Sequence, residues 1–112
     1  MSTLKGTGVK VLVRRGPKVE RRRFDDLGAA LAFVEGRGRE LEEGVDTKAV
    51  SLPLGRSFEP VQRVVARIEV GGGGVDIRGD GSCEAWTGRF RRRLVEQRDG
   101  ESPYDALRRA LT

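Results

Sequence analysis

The sequence predicts an α+β fold: an antiparallel sheet of five to six strands with two helices packed on one face. Three observations carry that expectation. Between Val61 and Leu94, Val64, Ala66, Ile68 and Val70 occupy every second position, and Arg63, Arg67 and Glu69 fall on the alternate ones. A period of two marks a strand with one face in a core and the other in water. Two glycine-rich breaks, 71–74 and 79–81, divide this stretch into a three-stranded meander. Finally, two segments, one after Asp25 and one after Ser102, carry helix starts followed by apolar residues at helical spacing.

In chain order, residues 1–8 are small and polar and are expected to form a flexible start. Val9, Val11 and Val13 alternate with Lys10 and Arg14 in a first strand. Gly16-Pro17 turns the chain, and Lys18–Phe24 returns as its hairpin partner. Asp25 is the expected N-cap of a helix over 25–35, with Leu27, Ala30, Leu31 and Val34 on its apolar face. Gly36 and Gly38 interrupt that face, each costing about 1 kcal/mol in a helix interior. A separate short turn is therefore expected near 39–43; the alternative is one helix running on to a stop at Gly44.

Val50, Leu52 and Leu54 alternate in a further strand. Pro53 cannot donate to a ladder, so this strand is short or lies at an edge. The meander follows, ending in Ser82–Thr87, a bend or bulge at Gly88, and a run over 89–96 open to either strand or helix. Ser102-Pro103-Tyr104-Asp105 starts a last helix, with a cap, proline at the first position and an acid in the first turn. Val9, Val11, Val13, Leu27, Leu31, Val34, Val64, Ala66, Ile68, Val70, Val75, Ile77, Ala85, Leu107 and Leu111 form the expected core. Phe24–Leu31 and Tyr104–Leu111 share the pattern aromatic, Asp, x, Leu, x, x, Ala, Leu. The pattern suits any short helix laid on a sheet, and a duplicated strand–helix unit is the alternative.

The 112 residues are read as a single α+β domain with room for one core. Apolar residues make up 37% and charged residues 35%, so that core is lean. No apolar run approaches the roughly 18 residues of a membrane span, and the first residues lack a signal peptide's apolar block. The expected location is the cytoplasm, with no membrane partner.

Chemistry is constrained by what is missing. There is no histidine, which removes the usual general base and the commonest metal ligand. The lone Cys83 excludes an intrachain disulfide and a multi-cysteine zinc site. Gly71–Gly74 lead into Val75-Asp76-Ile77 rather than a helix, so they read as a hairpin tip and not a phosphate loop. Arg78-Gly79-Asp80 reads as a turn, and Asp76 and Asp80 do not extend into a calcium loop. Neither an enzyme, a cofactor nor a metal is expected.

What remains is charge. Lys plus Arg is 22 and Asp plus Glu is 17, for a net charge of +5, and 18 of the 22 are arginine. Arginine's planar fork suits phosphate. Two clusters stand out: Arg21, Arg22 and Arg23, and Arg89, Arg91, Arg92 and Arg93. On adjacent strands they would form one basic band on the open sheet face, a surface for RNA or another anionic partner. The competing reading is a solvated face with these arginines paired to Glu20, Glu84, Glu96 and Glu101. Aromatics make up only 5%, which argues against a stacking platform for single strands, and Trp86 and Phe90, the aromatics nearest the band, are both expected in the core. In element order alone, hairpin, helix, meander and terminal helix, the chain resembles small double-stranded-RNA-binding and ribosome-associated α+β folds. The expected function is a small non-enzymatic binding module for RNA or another polyanion. The alternative is a protein-interaction or homodimer module using an edge strand near Lys48–Pro53.

Overall fold

Strand alternation dictates the sheet. The computed structural model describes residues 8–44 and 63–112. Within them β1 (Val9–Arg15) and β2 (Lys18–Phe24) form a hairpin around Gly16 at φ +58°. The meander is β3 (Val64–Val70), β4 (Gly73–Arg78) and β5 (Cys83–Thr87), and β6 (Arg93–Leu94) returns alongside β5. All pairings are antiparallel, in the order β2-β1-β3-β4-β5-β6. The expected strand near Lys48–Leu54 and most of the expected flexible start lie outside the described residues.

Two helices cover one face. α1 (Leu27–Glu43) lies across β1 to β4, and α2 (Pro103–Leu111) lies on β4 and β5 beside it. Beneath them Val11, Ile68, Val70, Val75, Ile77, Val34 and Leu107 are essentially inaccessible to water. Each such side chain contributes on the order of 1.5–3 kcal/mol. Among the described residues, no helix is long and apolar enough to cross a membrane.

The structure corrects the expected helix in two respects. Asp26, not Asp25, is the N-cap, its Oδ1 accepting the Ala29 N–H at 2.7 Å. The helix also does not break at Glu35 but continues as a single element to Glu43, with Gly44 as its C-cap. The reason is Tyr104. Its ring packs directly on the backbone at Gly38, where an added Cβ would stand 2.6 Å from Cε1. A glycine that weakens the isolated helix is thus the seat for a side chain only 3% exposed. The Tyr104 hydroxyl donates to the Glu42 carboxylate one turn further on. Burial, followed by that hydrogen bond, raises the phenol well above its usual range.

Val64 is a further correction. A register shift between Val64 and Ala66 adds one residue to β3, and Val64 turns out of the core to 37% exposure. The internal echo also dissolves in three dimensions. Phe24 ends a strand and Asp25 precedes the cap, whereas Tyr104 and Asp105 lie within the first turn of α2. Aligned letters therefore do different jobs.

α2 follows its start signal. Ser102 and Asp105 form a reciprocal capping box with Pro103 at the first position. Arg109 clamps Glu101 at 2.9 Å, tying the helix to the turn before it. Hydrogen bonding from Arg109, then from the Arg98 backbone N–H, lowers the Glu101 carboxyl from 4.5 to about 2. Glu35, lowered first by Arg39 and then by Arg108, links α1 to α2.

Two outcomes follow. Gly38→Ala should lower the thermal midpoint despite alanine's helix preference, by the equivalent of about 1–3 kcal/mol, because the methyl group overlaps the Tyr104 ring. Gly36→Ala meets nothing within 4 Å and should stabilise by about 0.5–1 kcal/mol. Equal effects at the two positions would remove Tyr104 from this account. For Glu101, the unfolded chain takes up its proton first as pH falls. The stabilisation is complete above pH 4.5 and is lost as pH approaches about 2. Thermal midpoints of Glu101→Gln should therefore fall less across this window than those of the parent chain.

Candidate anion-binding face

The face opposite the helices has its own organisation, set by the register. One row of side chains crosses the whole sheet: Arg21, Leu12, Glu69, Gly74, Trp86 and Leu94, one per strand from β2 to β6. With strands about 4.8 Å apart, this row spans roughly 24 Å. Next to it, on one side, run Val19, Arg14, Arg67, Asp76 and Glu84. On the other side Arg23 and Lys10 pair across β2 and β1.

Trp86 is 5% exposed yet lies on this face rather than under the helices. Its indole rests on Gly74, where a Cβ would stand 2.7 Å from Cζ2. Gly73 and Gly74 are accordingly buried strand residues, and the expected four-residue glycine tip shrinks to a turn at Gly71 and Gly72. The indole N–H donates to Asp76 at 3.0 Å, and Arg67 grips both oxygens of Asp76 at 2.7 and 3.0 Å. That bidentate bond raises the Arg67 pKa. The Arg92 guanidinium stacks over the indole, 4.5 Å from the ring centroid.

Pairing neutralises the middle of this face. Arg14 binds Glu69, Arg67 binds Asp76, and Arg78 binds Glu84. The cations at the end nearest the β3–β4 turn are different. Lys10 and Arg23, with Arg89 from the loop after β5, line an open depression of about 430 Å³ that also includes Leu12, Glu69 and Gly71. Lys10, Arg21, Arg23 and Arg89 have no carboxylate partner among the described residues, and Glu69 is already held by Arg14 at 2.9 Å. The depression therefore carries three positive charges against one carboxylate that is already engaged.

The seven candidate arginines separate accordingly. The two clusters do not lie on adjacent strands; among the described residues β2 and β6 are opposite edges of the sheet. Arg21 and Arg23 take the open face, and Arg89 reaches the same depression. Arg22 points the other way, binds Glu20 at 3.1 Å and stacks on Phe33 of α1. Arg92 is taken up by Trp86. Arg91 is exposed on the loop, and Arg93 pairs with Thr87 on β6, which replaces the longer run considered over 89–96. Of the expected carboxylate partners, Glu20 alone takes one of the seven; Glu84 binds Arg78 and Glu101 binds Arg109.

Sequence reasoning missed Lys10, and it placed Phe90 in the core, where the structure leaves it entirely exposed. The Trp86–Gly74 contact did have a signal. A three-residue turn over 79–81 sets Arg78 opposite Ser82 and, counting back along β4, Gly74 opposite Trp86.

The remaining chemical candidates lead elsewhere. Cys83 lies under the helices, and burial pushes its thiol up to about 12, far from a nucleophile's range. Gly79 and Asp80 form the β4–β5 turn, where Asp80 accepts the Ser82 N–H at 2.9 Å.

Arg67→Ala should lower the unfolding free energy by about 1–3 kcal/mol, since it leaves the Asp76 carboxylate desolvated and without its counter-charge. Arg14→Ala, whose side chain is 50% exposed, should change it by less than about 1 kcal/mol. Urea unfolding followed by the fluorescence of Trp86 measures both, and equal effects would contradict this assignment. Comparison with known proteins finds no matching family model, no matching curated protein and no matching solved structure.

Proposed function

We propose that the chain is a non-enzymatic binding module that receives RNA, or another polyanion, on the open face of its sheet. One observation carries this reading: Lys10, Arg23 and Arg89, from three separate segments, line one concave depression with no free carboxylate among the described residues. Concave gathering of like charge is unfavourable for the folded chain alone. A phosphate relieves it, and arginine holds phosphate through paired hydrogen bonds. Arg21 and Arg91 extend the positive surface along the sheet edge and the loop.

Self-assembly is the less favoured reading. Among the described residues β2 is an edge of the sheet, but two copies joined there antiparallel would bring Arg21, Arg22 and Arg23 against their own counterparts. Basic residues on an edge strand discourage such pairing.

Binding to a labelled RNA should weaken steeply between about 50 and 200 mM salt, and affinity that stays flat would overturn the proposal. Combining Lys10→Ala, Arg23→Ala and Arg89→Ala should flatten log affinity against log salt by roughly one unit per side chain. Arg22→Ala, already engaged by Glu20 and Phe33, should leave that slope nearly unchanged.

A further inference from the structure

We infer that the Gly88–Arg92 loop is a stacking finger for unpaired nucleobases, with Phe90 as its tip. This rests on the polyanion reading above and adds the kind of nucleic acid received. Phe90 is completely exposed, between Arg89 and Arg91. The loop's ends are held in place. At its start the Gly88 N–H donates to the Gly72 carbonyl at 2.8 Å; just past its end the Val95 N–H donates to the Ala85 carbonyl at 2.9 Å. Gly88 adopts φ +110°, and the Arg91 carbonyl oxygen closes over its Cα, where no side chain fits. Arg92 is pinned on the Trp86 ring. A loop closed this tightly drives residues 89–91 outward, so the benzyl group is presented to water by the local geometry.

The neighbours select the occupant. Arg89, next in the chain, turns into the depression with Lys10 and Arg23. A strand whose phosphates enter that depression passes an exposed aromatic ring with a guanidinium on either side. Bases offer π-faces to both groups, but only where they are not already stacked in a duplex. A flat lipid surface is a poorer match, because the cations line a concavity.

The test compares a labelled short single-stranded oligoadenylate with an abasic oligomer of equal length and charge. The parent chain should bind the oligoadenylate on the order of ten-fold tighter. Phe90→Ala should erase that preference while leaving abasic binding unchanged, and Phe90→Trp should keep it. Circular dichroism of the variants guards against misfolding, which a fully exposed position does not invite. Equal binding of both oligomers by the parent chain would overturn the stacking inference and leave the polyanion reading standing. Failure to bind either would remove both. Tighter, Phe90-dependent binding to phosphatidylserine vesicles than to oligoadenylate would overturn it in favour of a membrane surface.

Discussion

The indole of Trp86 lying on the bare backbone of Gly74 is the contact that organises the open face. A sheet with helices on one side leaves its other side to water, and a large aromatic there needs both a flat seat and a partner for its N–H. Gly74 supplies the seat and Asp76 the acceptor. Asp76 is then too buried to remain alone, and the Arg67 fork completes it. Arg92 closes the stack from above. Each member makes the next one necessary, so the centre of this face is a packed, paired unit.

The helix side repeats the device with different chemistry. Tyr104 lies on Gly38 as Trp86 lies on Gly74, and in each case a missing side chain admits a ring. Tyr104 belongs to both helices in effect. It lies in the first turn of α2, packs on the middle of α1 and hydrogen-bonds Glu42 near the end of α1. Arg39, Glu35 and Arg108 run a charged link across the same junction. The helix pair therefore sits as one layer, which holds the underlying strands in register and, through them, the rows on the opposite face.

That arrangement sorts the arginines of the described residues by geometry. Those with a carboxylate directly across the ladder, as at Arg67, or diagonally across it, as at Arg14 and Arg78, become structural. Those at the rim, past the last carboxylate, keep their charge available. The anion site we propose is thus a boundary effect: the pairs run out at the β3–β4 turn just where β1, β2 and the β5–β6 loop come together. The same boundary puts Phe90 in water.

Local patterning determined a good deal on its own. The alternation of Val9, Val11 and Val13 and of Ala66, Ile68 and Val70, the turn residues at 16–17 and 79–81, and the start of α2 at Ser102 each act within a few residues, so the α+β class was legible. Some features belong to tertiary structure because they join residues far apart in the chain. Where α1 crosses Gly38, it is Tyr104, far along the chain, that fills the space the glycine leaves. Val64 leaves the core through a one-residue bulge that the apolar pattern does not register. Whether an arginine is bound or free depends on which carboxylate the ladder sets beside it, and the run Arg21-Arg22-Arg23 is divided between two faces by the same alternation that made the strand predictable. The sequence by itself determined which faces could be buried; only strand order and register, set by packing on the helices, decided which charges meet and which remain open to a partner.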